Sequence, residues 1–202
     1  INGCDDGKSG IGAKYVGTLI INGGNINVTG GQCGAALGGD SDNEGGGSIT
    51  INGGVVNAQG GYYAAAIGGG KGISESTGVC GTIAINGGQV TATGGLDAPG
   101  IGPGKKTYAV VTGEPTSGTL TLGWTSPDDY VNCNRYSNGY FQLSSITFAE
   151  GKQFLFDGTS TIVTADDLFN KNSSKIVPYV KGLPGGGTEE NPYTISNADE
   201  WN

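Results

Sequence analysis

The chain has 202 residues, of which 42 are glycine, 18 acidic, 10 basic and none histidine, for a net charge of −8. An acidic surface disfavours nucleic acid and anionic membrane as partners, and the lack of histidine removes histidine-based triads and histidine-ligated metals. The length allows a real hydrophobic core, though a narrow one.

A three-fold repeat occupies residues 1–118. The copies read GTLIINGGNINVTGGQCGAALGG from Gly17, GSITINGGVVNAQGGYYAAAIGG from Gly47 and GTIAINGGQVTATGGLDAPGIGP from Gly81. Leu19 to Leu37, Ile49 to Ile67 and Ile83 to Ile101 are each 18 residues apart, whereas the copies start 30 and then 34 residues apart. The length variation is confined to one loop per copy, as in a parallel β-solenoid whose coils carry a side loop.

Within each copy the apolar period is two, which predicts strands. Leu19 and Ile21, Ile49 and Ile51, and Ile83 and Ile85 point inward in the first strand; Thr18, Ser48 and Thr82 point outward. The second strand buries Ile26 and Val28, Val56 and Ala58, and Val90 and Ala92. It exposes Asn27 and Thr29, Asn57 and Gln59, and Thr91 and Thr93. A third, very short strand contributes one inward residue per coil: Ile11, Leu37, Ile67 and Ile101. Asn22, Asn52 and Asn86 recur at one corner, where asparagine tolerates a left-handed backbone and can stack into an amide ladder.

Composition shifts near residue 118: 34 of the 42 glycines lie at or before it, and 12 of the 16 aromatics lie after it. Residues 119–182 read as a last coil beginning Thr119-Leu120-Thr121-Leu122 and a β-rich C-terminal cap, needed because a solenoid end has unpaired strand edges. Strands are expected over 146–148, 153–156, 161–164 and 175–180, with Thr164 capping a helical turn over 165–170. Residues 183–202 read as a linker through Gly185-Gly186-Gly187 and the start of a further module at Pro192. A chain that opens inside a coil without an initiator methionine reads as a piece of a longer protein. No signal peptide or membrane-spanning apolar run is present in it.

Few side chains suggest chemistry. Tyr62 and Tyr63 are the only aromatics inside the regular repeats, and the alternation cannot bury both. With the amides of Asn57 and Gln59 they form one candidate sugar-binding group. Trp124 with Tyr130, Tyr136 and Tyr140 forms another, unless these build the core of the cap. Asp40, Asp42 and Glu44, followed by Gly45, resemble the first half of a calcium loop. The bidentate glutamate required at the twelfth position is instead Ile51, so only a surface calcium site remains open and no other cofactor is expected. Gly7-Lys8-Ser9 lacks the upstream glycine of a phosphate loop, since Asn2 stands there. Cys4, Cys33, Cys80 and Cys133 are too dispersed for a zinc motif. Pairings of Cys4 with Cys33 and of Cys80 with Cys133 stay open, against free or buried thiols. Asp128, Asp129 and the sole arginine, Arg135, could form a small polar cluster in the cap. The outward strand positions lack a carboxylate pair, so a polysaccharide lyase or hydrolase ranks below a binding protein.

The INGG…ATGG…AAIGGG phrase, the closing DAPGIGPG at residues 97–104 and the later TLTLGWTSPDDY, FLFDGTSTIVTADDL and GTEENPYTISNADEW segments carry a resemblance. The chain resembles the glycine-rich repeats of large secreted, adhesin-like bacterial surface proteins. That resemblance implies an all-β, right-handed parallel β-helix of about three to four coils outside the cell. It further implies a non-enzymatic module binding a glycan or a host or cell-surface protein, with no membrane insertion of its own. A purely structural stalk is the alternative.

Overall fold

The structure, a computed structural model, describes residues 3, 7–13, 17–42, 45–73, 78–105, 117–134, 143–170 and 175–179, with backbone only at 169 and 170. Cys4, Glu44, Arg135, Tyr136, Tyr140 and the 183–202 segment lie outside the described residues.

The repeat winds as the alternation predicts. Its strands are β1 (Ile11–Gly12), β2 (Thr18–Ile21), β3 (Asn25–Thr29), β4 (Leu37–Gly38), β5 (Ser48–Ile51), β6 (Val55–Gln59), β7 (Ile67–Gly68), β8 (Thr82–Ile85), β9 (Gln89–Thr93) and β10 (Ile101–Gly102). The chain continues through β11 (Thr119–Leu122), β12 (Tyr130–Asn134), β13 (Ser145–Phe148), β14 (Phe154–Phe156), helix α1 (Ala165–Asn170) and β15 (Lys175–Pro178). Three sheets run the length of the coils, in the orders β1-β4-β7-β10, β13-β11-β8-β5-β2 and β14-β15-β12-β9-β6-β3. Except at β14 and β15 every pairing is parallel. The molecule is a parallel β-helix.

Register makes the core a set of stacked columns. Leu19, Ile49, Ile83, Leu120 and Ile146 lie in one line across the five-stranded sheet. Ile26, Val56, Val90 and Val131 do the same in the six-stranded sheet. Like residues on like shelves fill the interior at organic-crystal density, so repeated apolar letters suffice to fix register. The solenoid also runs further than the repeat is legible. β12 keeps the register of β9 despite its changed sequence, and β13, expected as part of the cap, is a fifth rung on β11.

Glycine permits the narrow turns. A Cβ on Gly61 would lie 1.8 Å from the carbonyl oxygen of Gly31, and one on Gly95 the same distance from that of Gly61. At the Asn-Gly-Gly corner the ladder forms as expected. The Asn52 amide donates to the Asn22 oxygen at 2.8 Å and that of Asn86 to Asn52 at 2.9 Å. The expected left-handed asparagines are not found. The second glycine of each phrase, Gly24, Gly54 or Gly88, takes the positive φ of 93° to 98°. Glycine carries that conformation without a Cβ clash, leaving asparagine free to point its amide along the stack.

The C-terminal part closes the end of the six-stranded sheet. β15 runs antiparallel to both β12 and β14, so the last coil's edge is covered by a reversed strand. The strand expected over 161–164 reduces to one antiparallel bridge between Leu155 and Ile162. The helix forms where expected. Thr164 Oγ1 accepts from the Asp167 amide at 3.2 Å and the Asp167 carboxylate accepts from the Thr164 amide at 3.0 Å, a reciprocal cap.

Candidate functional site

The side chains that leave the core on β3, β6 and β9 stand in register, so each outward column repeats along the solenoid axis. Asn27, Asn57 and Thr91 form one column, and Thr29, Gln59 and Thr93 form the next. The Asn57 amide donates to the Asn27 oxygen at 3.0 Å, and Asn27 donates to Asn25 at 3.2 Å. These columns bound a shallow open groove of about 350 Å³, floored by Val28 and Ala58. A second open groove of about 570 Å³ begins where the first ends. Gln59, Gly60, Gly61, Tyr62, Thr93, Gly94, Gly95 and Leu96 line it. Gln59 and Thr93 belong to both.

In the glycine column Gly31, Gly61 and Gly95, required by backbone stacking, the last two also keep the floor of the second groove bare. Tyr62 stands on that floor, 49% exposed. It occupies the same position in its coil as Leu96 in the next, five residues before Ile67 and Ile101 respectively. Tyr63 beside it has a φ of 64°, an uncommon conformation for a bulky residue. Its ring lies 4.1 Å from that of Tyr62 at 55°, and its hydroxyl donates to that of Tyr62 at 3.4 Å. Lys105 holds Tyr63 from behind. Its ammonium sits 4.7 Å from the Tyr63 ring centroid and 2.5 Å from an Asp97 oxygen, and its backbone amide donates to the Tyr63 carbonyl at 2.8 Å. The Tyr62 phenol is held above its usual pKa, first by the hydrogen bond with Tyr63, then by burial and by the neighbouring Tyr63 and Asp97 charges.

Four of the five expected ligand-binding residues, Asn57, Gln59, Tyr62 and Tyr63, thus fall on or beside one continuous surface. Trp124 does not. It is 2% exposed in the cap, 4.4 Å from the Phe154 ring, which itself lies 5.3 Å from Phe148. Burial of the large indole between coil and cap corrects the expectation that it offers a ligand platform. Its Nε1 has no partner among the described residues. Lys105, Asp97 and Leu96 were not expected at the site. The signal was available, since Asp97 occupies the repeat position of Tyr63, four residues before the inward isoleucine.

The acidic loop is arranged otherwise than a calcium loop would suggest. Asp40 is 2% exposed, and one of its oxygens accepts from the Ser9 amide and the Ser9 hydroxyl, both at 2.8 Å. Lys8 donates to the other at 3.3 Å. Asp42 is exposed, with a φ of 63°, and its amide donates to the Lys71 carbonyl. A cation at Asp40 would have to displace the Lys8 ammonium. Of the two readings left open for Cys80 and Cys133, the structure has the free, buried thiols. Cys133 occupies the inward column after Ala58 and Ala92, where it is core. Burial pushes the Cys80 thiol up to about 12 and raises that of Cys133 as well.

In-register parallel rungs around a single apolar interior define the protein class as a β-helical solenoid. Two of its coils, residues 49–71 and 83–105, match the family model of the β-helix repeat. Both matches begin at an inward isoleucine of a first strand and end just past the third strand, so they cover one coil without its variable loop. No curated protein and no solved structure matches the chain.

Proposed function

We propose that the chain is a non-enzymatic, adhesin-like binding module of an exported bacterial surface protein, and that its ligand is a glycan. The observation carrying this reading is the junction at Gln59 and Thr93, where a face of amides and hydroxyls meets an aromatic side chain on a bare glycine floor. Sugars call for that pairing, since hydroxyls need directional partners while the C–H face of the ring packs on an aromatic surface. The surface-protein context comes from the resemblance of the repeat phrases. A binding role rather than hydrolysis is supported by the lining residues, which include no carboxylate pair flanking a cleft.

A glycan-array screen of this chain tests the reading, followed by calorimetry on the hits. Binding that falls about tenfold in Tyr62→Ala, with an unchanged melting temperature, is the expected outcome. A hit that Tyr62→Ala and Gln59→Ala both leave intact would place recognition elsewhere. A second reading, a passive stalk, is favoured by the asparagine ladder and by a core repeated rung upon rung. An array without hits would leave that one standing.

A further inference from the structure

The two grooves also specify what kind of glycan fits, an inference that rests on the glycan reading above. We infer that the ligand is a neutral glycan segment of two to three sugar rings, running along the coil over Asn57 and Gln59 and ending stacked on Tyr62.

Direction follows from the columns. The outward columns run along the axis and continue past Thr91 and Thr93 to Asn132 and Asn134, whereas Tyr62 belongs to the same coil as Asn57 and Gln59 and lies beyond the end of β6. Along β6 Asn57 and Gln59 stand about 7 Å apart, and the extended path from Asn57 to Tyr62 is at most about 17 Å, roughly three pyranose rings. A ligand running along the coil therefore passes from the amides of Asn57 and Gln59 onto the Tyr62 ring, in the order in which the two grooves join. One laid along the axis would stay on the amide and hydroxyl columns and miss Tyr62. The end of the track is set by Gln59 and Thr93, which hand over to the groove at Tyr62.

Charge decides the class. Every residue lining both grooves is uncharged, and the chain as a whole carries −8. A uronate or sulfated glycan would meet long-range repulsion here without a cation in the lining to offset it. The Lys105 ammonium is held between the Tyr63 ring and Asp97, where it supports the tyrosine pair. Neutral sugars lose nothing at such a surface. Rings with equatorial hydroxyls, as in β-linked glucose, present the flat C–H face that Tyr62 can stack on.

Calorimetry with neutral oligosaccharides of one to six units (gluco-, xylo- and manno-series) beside oligogalacturonates of equal length tests this. Affinity is expected to rise up to three units and then level off, and to be at least tenfold weaker for the uronates at low salt. Tyr62→Ala should cost about tenfold and Asn57→Ala about threefold, whereas Thr121→Ala on the five-stranded sheet should change nothing. Tyr62-dependent binding of uronates in preference to neutral chains would overturn the inference while keeping the glycan reading. So would affinity still climbing beyond four units. If neither series binds, both fall.

Discussion

A carboxylate nine-tenths hidden beneath a coil corner must find partners or stay protonated. Asp40 finds partners at Ser9 and Lys8, and so ties the first described coil to the second. Lys8 is more than half exposed, so its ion pair contributes little. The Ser9 amide matters more, because removing its acceptor strands a partly buried donor. Asp40→Ala is expected to lower stability by about 1–3 kcal/mol in urea unfolding, with Asp40→Asn milder. Since the Lys8 ammonium already occupies the carboxylate, chelator treatment of the wild type should leave the melting temperature unchanged. A chelator-sensitive transition would restore the calcium reading of Asp40 and Asp42. The sequence could show the alternate acids but not their partners, because Lys8 is 32 residues from Asp40 and meets it only by winding.

At the scale of the coil, the inward and outward alternation was legible almost residue by residue. Leu19, Ile49 and Ile83 share a column because a period of two leaves strands no other way to hide them. The corners were less legible. Asparagine and glycine both tolerate left-handed angles, and only the stacked geometry assigned that role to Gly54 and the ladder to Asn52. The same stacking makes glycines unequal. Gly61→Ala would drive a Cβ to 1.8 Å from a backbone oxygen, which no rotamer relieves, and is expected to cost about 3 kcal/mol. Gly53→Ala meets its nearest neighbour at an ordinary 3.5 Å and should be nearly neutral. Paired denaturant titrations measure the difference, and equal effects would contradict a backbone-tight column at Gly31, Gly61 and Gly95. Gly61 and Gly95 also floor the Tyr62 groove, so their loss should weaken ligand binding as well.

For the whole molecule, the interior is one continuous stack in which Cys80 and Cys133 serve as small apolar residues. Burial keeps their thiols protonated in the fold, while the unfolded chain ionises them near pH 9.0. A raised folded pKa contributes stability that is complete below the unfolded value and is lost as pH rises toward the folded one. Urea midpoints should therefore hold from pH 6 to 8 and decline between pH 9 and about 12. The Cys80→Ala/Cys133→Ala variant should decline less steeply over that window. Parallel slopes would show that other groups control the alkaline transition.

The repeat alone determined the parallel β-helix, its inward columns and the exit of Asn57 and Gln59, because strand alternation and glycine turns are local and recur at fixed spacing. It also required that Tyr62 and Tyr63 not both be buried. Tertiary structure decided which of them is the exposed one, that Trp124 belongs to the core, and that Lys105 and Asp97 stand behind the tyrosines. It also carried the solenoid through β12 and β13, where the repeat can no longer be read. The physical reason is common to these cases. Each depends on contacts between coils 26 or more residues apart in sequence or between coil and cap, and such contacts exist only once the chain has wound.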